Sequence, residues 1–243
     1  QSHWVLTSTL SDGSTTKISG DFLFMCGGYY SYDDPHRPEF PGESRYQGQV
    51  LHPQFWPEDL DYEGKKVIVI GSGATAMTIV PSMTQKGAQV TMVQRSPTYV
   101  VSRPAEDKIA NTLRKWLPEK WAYAITRLKN TTLSGYFYRQ TRSQPAKTKA
   151  QLLGMATANL GEEMVKAHFT PSYNPWDQRL CLVPDDDLFT ALRTGKAEVV
   201  TDTISHIDAT GLVTGSGERI EADIIVSATG IELLNLGGAE FSV

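Results

Sequence analysis

The sequence lacks several features that define special classes of protein. Its 243 residues contain no apolar run of about 18 residues, the length that a membrane-spanning helix needs, and no signal peptide at the start. With 23 Lys and Arg against 27 Asp and Glu, the chain lacks the positive charge of a nucleic-acid-binding protein. Its five histidines show no metal-ligand spacing. The sequence therefore favours a globular protein without a nucleic-acid partner or a metal site.

Cysteine is scarce, with only Cys26 and Cys181 in the chain. Two thiols so far apart indicate a reducing compartment, and we expect the protein to be cytoplasmic. The chain opens at Gln1 without methionine and ends at Val243 shortly after a strand-like run. We therefore expect it to be part of a longer protein.

A glycine motif follows the apolar run Val67–Ile70 and precedes a helix-like segment. Its residues are Gly71, Ser72, Gly73, Ala74, Thr75 and Ala76. The first glycine permits a tight turn, the second lets backbone N–H groups approach a pyrophosphate, and the small last residue lets helix pack on strand. This context predicts dinucleotide binding, and the alternative is a tight strand–helix turn without a ligand.

The end of the next strand indicates which dinucleotide is bound. An NAD site offers a carboxylate about 20 residues past the motif, but this chain has Gln94 followed by Arg95 and Ser96. A guanidinium can bind a 2′-phosphate through two hydrogen bonds. The pattern predicts NADPH, unless Arg95 merely faces solvent.

The chain alternates strand-like and helical patterns, which predicts an α/β fold. We expect a hairpin around Ser11–Ser14, a short strand at Asp21–Cys26, a long connection over 31–64 and a βαβ unit over 65–95. Residues 105–169 read as helices, and strands return from Glu198.

A basic stretch covers residues 120–149, where Lys and Arg occur without Asp or Glu. A solvated basic face explains it most simply. The alternative is peripheral contact with a membrane surface or an acidic partner.

A second motif carries a resemblance to a known family. Tyr46-x-Gly48-x-x-x-His52-x-x-x-Trp56-Pro57 resembles the fingerprint of Baeyer–Villiger monooxygenases, with Tyr in place of the leading Phe. The stretches 26–30, 95–99 and 227–230 also resemble the wider superfamily of flavin-containing monooxygenases. The stretch 174–184 is most similar to the bacterial branch of ethionamide-activating and long-chain alkane monooxygenases.

The resemblance implies a Rossmann-like NADPH-binding domain inserted within an FAD-binding dinucleotide fold. Residues 1–64 would end the first FAD-domain segment and supply the linker, 65–225 would form the NADPH domain with a helical insertion at 105–169, and 226–243 would return to the FAD domain. The remainder of the FAD fold would come from a missing part of the same chain. The 243 residues alone would therefore bind FAD poorly or not at all and would not turn over.

The resemblance also implies roles at the active site. Arg179 matches the active-site arginine, whose permanent charge would stabilise an anionic C4a-peroxyflavin and the oxyanion formed from a carbonyl substrate. Gln178 replaces a lysine that often binds the 2′-phosphate. The alternative for Arg179 is a structural ion pair with Asp177 or Asp185. For His52 we favour a structural or hinge role over proton transfer.

The implied activity is an FAD- and NADPH-dependent monooxygenase that takes one oxygen atom from O₂ into a ketone or onto a sulfur or nitrogen centre of a small organic substrate. One alternative is an NADPH-dependent flavin disulfide reductase, which the lack of a close cysteine pair disfavours. A catalytically silent dinucleotide-binding module is another. The sequence does not indicate the substrate.

Overall fold

The computed structural model describes residues 3–240, which contain fourteen strands and six α-helices. The strands are β1 (Trp4–Thr9), β2 (Thr15–Gly20), β3 (Tyr30–Pro35), β4 (Gln49–Leu51), β5 (Lys66–Ile70), β6 (Gln89–Gln94), β7 (Tyr99–Arg103), β8 (Leu180–Pro184), β9 (Ala197–Thr201), β10 (Ile204–Ile207), β11 (Gly211–Thr214), β12 (Arg219–Glu221), β13 (Ile224–Ser227) and β14 (Ile231–Leu233). The helices are α1 (Ala74–Gln85), α2 (Lys108–Trp116), α3 (Glu119–Ser143), α4 (Pro145–Leu160), α5 (Glu162–His168) and α6 (Asp187–Arg193).

The chain divides into two compact units, and the smaller one combines its two ends, up to His36 and from Ile231. Strands β1 and β2 form the expected antiparallel hairpin, whose turn is closed by the Asp12 carboxylate accepting from the Ser14 N–H over 2.9 Å. Strand β3 pairs antiparallel with β14, although some 200 residues separate them.

The prediction of a strand at Asp21–Cys26 is wrong, because this segment is irregular and both of its phenylalanines are exposed. An apolar run becomes a strand only beside a neighbour that can accept its backbone hydrogen bonds. Among residues 3–240 no strand pairs with it.

The larger unit, residues 37–230, is built on a five-stranded parallel sheet in the order β4–β13–β5–β6–β9. The expected βαβ unit is present as β5, α1 and β6. Side chains alternate along β5, so Val67 and Val69 face one apolar cluster while Ile68 and Ile70 face another. Both faces of the sheet are therefore covered, as continuous apolar strands require.

Helices cover one face of this sheet, where α1 and α6 pack, and the antiparallel strands β10, β11 and β12 lie on the other. Ile207 of β10 and Leu212 of β11 are fully buried there with Ile225 of β13. The third sheet of the unit is the parallel pair β7 and β8.

The predicted helical region, residues 105–169, is confirmed as α2 to α5. Apolar side chains recur at helical spacing on α2 and α3, but they are exposed at Ile109, Trp116, Trp121, Ile125 and Leu128. Periodicity shows that apolar side chains share a face, but it does not show what packs against that face.

Candidate functional site

The glycine loop, residues 71–76, lies at the carboxyl end of β5 and leads into α1. Gly71 has φ +132°, and a Cβ built on it would lie 2.4 Å from the carbonyl oxygen of Ala228. Its N–H donates to the carbonyl oxygen of Val93 over 2.8 Å. Only glycine fits this position, because both the backbone angle and the close approach exclude a side chain.

Gly73 serves a different purpose. It is the N-cap of α1 with φ −82°, and a Cβ there would meet no protein atom within 4 Å. No side chain caps the helix, and its first turn carries no acidic residue. The first N–H groups and the positive end of the helix dipole therefore face open space that an anionic group fits.

Buried contacts hold the glycine loop in place. The Ser72 and Thr98 hydroxyls are 3.1 Å apart, and the Cys181 thiol lies 3.9 Å from the Ser72 carbonyl oxygen. Burial raises the pKa of Cys181, against the opposing charge of Arg179, so the thiol stays protonated. Cys181 thus packs under the loop and is not a reactive thiolate.

The register of β7 and β8 brings the other predicted site residues to the same edge. The two strands are parallel and pair Tyr99 with Leu180. Residues 95–98 directly precede β7 and residues 178–179 directly precede β8, so both segments lie at the same end of this pair of strands. Arg95, Ser96, Gln178 and Arg179 are exposed there. Thr98, just before β7, contacts Ser72 of the glycine loop, so the start of β7 lies beside that loop.

Gln94, at the end of β6, does not contribute its side chain to this surface. It is only 1% exposed. Its amide nitrogen donates to the His168 carbonyl over 2.7 Å and to the Thr201 hydroxyl over 2.9 Å. The His168 Nδ1 lies 2.8 Å from the Thr201 hydroxyl, and burial lowers the pKa of that histidine. Arg95 is therefore the first side chain after β6 that can reach a ligand.

The backbone around Arg179 is held by two tyrosines. The Tyr99 hydroxyl donates to the Tyr173 carbonyl over 2.6 Å, and the Tyr173 hydroxyl donates to the Arg179 carbonyl over 2.9 Å. Between Tyr173 and Arg179, Trp176 adopts φ 68°, a left-handed angle that non-glycine residues rarely take. The conformation of this segment is thus imposed by its surroundings.

The carboxylates considered as partners of Arg179 have other contacts. Asp177 pairs with Arg142 over 2.5 Å, and this pair lowers the pKa of Asp177. Asp185 accepts from the Ala105 N–H over 3.1 Å. Within residues 3–240 the structure shows no ion pair for Arg179, so its charge is available to a ligand.

The fingerprint residues Tyr46 and Gly48 hold the segment before β4 against the segment before β13. The Tyr46 hydroxyl, which the family's phenylalanine lacks, donates to the Ala222 carbonyl over 2.8 Å. A Cβ on Gly48 would lie 2.4 Å from the Asp223 carbonyl oxygen. Strand β4 then pairs with β13.

His52 is buried and uses both ring nitrogens. The Gln54 N–H donates to Nδ1 over 3.2 Å, so the proton is on Nε2, which donates to the Gly230 carbonyl over 2.9 Å. This tautomer gives the ring a structural role in the described fold. Trp56 packs edge-on against Tyr62 beside the larger apolar cluster.

Sequence reasoning missed Thr98, Ala228 and Tyr173. Thr98 and Ala228 lie in the stretches 95–99 and 227–230, but the sequence did not indicate what any of the three residues contacts, because these contacts form only on folding. Within residues 3–240 no helix is long and apolar enough to cross a membrane. In the same residues no group of three or more His, Cys, Asp or Glu side chains could hold a metal ion.

Comparisons with known proteins show the family to which the chain belongs. The family model described as "Flavin-binding monooxygenase-like" matches residues 2–234. The FAD-containing monooxygenase EthA of Mycobacterium tuberculosis (strain CDC 1551 / Oshkosh) is 49% identical over 235 residues, which cover 96% of this chain and 48% of EthA. The probable FAD-binding monooxygenase AlmA of Acinetobacter baylyi is 49% identical over 224 residues, covering 92% and 45%. The chain thus spans about half the length of the curated relatives it matches.

Among solved structures, an oxidized steroid monooxygenase bound to NADP superposes with a TM-score of 0.71 at 22% identity, covering 97% of this chain and 53% of that one. This likeness shows a shared mixed α/β fold with a parallel sheet.

Proposed function

Because the chain belongs to the flavin-binding monooxygenase-like family, we propose that it supplies the NADPH-binding part of an FAD- and NADPH-dependent monooxygenase. In this proposal residues 65–225 form a Rossmann-like NADPH domain with its helical insertion, and 1–64 and 226–243 belong to the FAD-binding fold. The reaction takes one oxygen atom of O₂ into a ketone or onto a sulfur or nitrogen centre. The two free thiols suit a reducing compartment, the cytoplasm.

The observation that carries the proposal is the open N-terminus of α1 beside Arg95. The backbone N–H groups after Gly73 bind the pyrophosphate of the dinucleotide. Arg95 and Ser96 hold the 2′-phosphate, and the Gln178 amide from the neighbouring strand start adds a hydrogen bond. Within residues 3–240 the motif occurs once, so the FAD pyrophosphate is held elsewhere.

Arg179 stabilises negative charge on oxygen. When bound, NADPH supplies a hydride and the flavin activates O₂. The guanidinium of Arg179 is a permanent cation. The backbone carbonyl of Arg179 is fixed by the hydrogen bond from the Tyr173 hydroxyl. The guanidinium can stabilise the oxyanion that forms when a carbonyl substrate is attacked. His52 moves no proton in this scheme, because both of its ring nitrogens already hold the segments 52–54 and 230 together.

A flavin disulfide reductase is the less favourable alternative. Such an enzyme attacks with a thiolate. Burial raises the pKa of Cys181 and keeps that thiol protonated.

The first test titrates the 243-residue chain with NADPH and NADH by calorimetry, with and without added FAD. We expect NADPH to bind at least about tenfold more tightly than NADH, since a charge-assisted pair is worth about 1.5–3 kcal/mol. Failure to bind either nucleotide would contradict the proposal.

The second test uses a longer protein that contains this chain together with a complete FAD-binding portion. We expect Arg179→Ala to keep NADPH oxidation but to lose oxygenated product, while Arg127→Ala, an exposed arginine on α3, keeps both. Unchanged product formation in Arg179→Ala would remove Arg179 from the mechanism. A protein that binds NADPH but never oxidises it would be a silent binding module.

A further inference from the structure

The corner between α2 and α3, residues 114–121, presents two tryptophans to solvent. Trp116 is 82% exposed and Trp121 is 64% exposed. Large indole rings are seldom left in water without a partner, because burying each one is worth about 1.5 kcal/mol or more. We propose that this corner anchors the protein peripherally on an anionic lipid surface.

The apolar surface continues from the corner along α3. Trp121, Ile125 and Leu128 follow one another at helical spacing, and all three are exposed. Of the 25 residues of α3, only Ala122 and Thr141 are buried. The helix therefore offers a long face that the described residues do not cover.

The charge of the corner selects its partner. Arg114, Lys115 and Lys120 surround the tryptophans, and within residues 3–240 the structure shows no ion pair for any of them. Residues 108–160 contain ten Lys and Arg and only one acidic residue, Glu119, whereas the rest of the chain contains 13 basic and 26 acidic residues. Positive charge is thus concentrated on one helical region of an otherwise acidic protein.

Lipid fits this combination better than a protein does. Indole rings settle at the headgroup level of a bilayer, and lysine stems lie along the apolar layer while their charges reach the phosphates. Protein interfaces are depleted in lysine, which here flanks both tryptophans. A second copy would bring the same cations against each other. Because no helix of residues 3–240 can span a bilayer, the contact is superficial.

The test measures co-sedimentation of the 243-residue chain with vesicles of pure phosphatidylcholine and of phosphatidylcholine with 30 mol% phosphatidylglycerol. We expect binding only to the anionic vesicles, with a loss at high salt. Each surface cation contributes about fivefold to partitioning, so Arg114→Gln/Lys115→Gln/Lys120→Gln should bind about 100-fold more weakly. The control Lys17→Gln/Lys166→Gln/Lys196→Gln removes the same charge elsewhere and should bind like the original chain.

Trp116→Ala/Trp121→Ala should weaken binding by about tenfold or more while keeping the circular dichroism of the fold. Brominated lipids should quench the tryptophan fluorescence of the original chain more than that of this variant. Equal binding to both vesicle types, no binding to either, or unchanged binding of both corner variants would overturn the proposal. A corner variant that changes the sedimentation coefficient in the absence of lipid would instead make the corner a contact between copies.

Discussion

The hydroxyl of Tyr173 donates a hydrogen bond to the carbonyl oxygen of Arg179 over 2.9 Å. The carbonyl of the same Tyr173 accepts from the buried Tyr99 at the start of β7 over 2.6 Å. Tyr173 therefore connects the segment before β8 to the buried Tyr99, and it fixes the backbone carbonyl of Arg179.

We expect Tyr173→Phe to loosen this segment without unfolding the protein. The substitution removes a single hydrogen bond, worth about 1 kcal/mol. Hydrogen–deuterium exchange should become faster in residues 176–180 and stay unchanged in β5 and β6. Tyr136→Phe, at an exposed position on α3, is the control and should leave exchange in residues 176–180 as it was. Unchanged exchange in Tyr173→Phe would show that the hydrogen bond does not hold Arg179.

Gly71 and Gly73 should respond differently to alanine. Gly71→Ala puts a Cβ 2.4 Å from the Ala228 carbonyl oxygen at φ +132°, so we expect a loss of about 2–4 kcal/mol in the free energy of unfolding. Gly73→Ala meets no protein atom within 4 Å and should cost only about 0.5 kcal/mol as a poorer N-cap. It should nevertheless weaken NADPH binding, because its methyl group enters the space proposed for the pyrophosphate. Urea unfolding and NADPH titration separate the two effects, and equal stability losses would contradict the assignment.

Replacing Arg95 should change nucleotide selectivity. Arg95→Gln removes the guanidinium proposed for the 2′-phosphate, so the Kd for NADPH should rise about 10- to 100-fold while that for NADH stays the same. Calorimetry with both nucleotides measures the ratio, and Arg127→Gln, on exposed α3, should leave it unaltered. A parallel loss of NADH binding would mean that Arg95 supports the fold.

Alkaline pH should destabilise the protein through two tyrosines. Burial raises the pKa of Tyr46 and of Tyr99 from 10.0 to about 12, with smaller contributions from Asp223 and from Tyr173 and Asp177 respectively. The folded state keeps these protons where the unfolded state releases them, so their contribution is complete below pH 10 and declines toward pH 12. The free energy of unfolding, measured with urea at several pH values in this window, should therefore fall less steeply with pH for Tyr46→Phe and Tyr99→Phe than for the original chain. Identical slopes would contradict the prediction.

The elements that depend on local pattern could be predicted from the sequence. The local sequence specifies strand, turn and helix in one region, because neighbouring residues determine each of them. This region consists of Val67–Ile70, the glycines at 71 and 73 and the helix after them. The spacing of the fingerprint residues likewise predicts the family from the sequence alone.

Elements that depend on distant partners could not be predicted. Strand β3 exists because β14 pairs with it, whereas Asp21–Cys26 remains irregular without such a neighbour among the described residues. Gln94 occupies the expected position after the glycine motif, but its amide bonds to His168 and Thr201, far away in sequence. The 2′-phosphate contact predicted for Arg95 does not depend on this side chain, because Arg95 is exposed.

The close approach of Gly71 to Ala228 should also couple amino-acid substitutions in two segments that are distant in sequence. A side chain at position 71 needs more room than the carbonyl oxygen at 228 leaves, since only 2.4 Å would separate them. Substitution at 71 therefore becomes tolerable only after the backbone following β13 has shifted, so relatives with a larger residue at 71 should also differ around 228. Each of the two segments should therefore accumulate substitutions more slowly than it would without this contact.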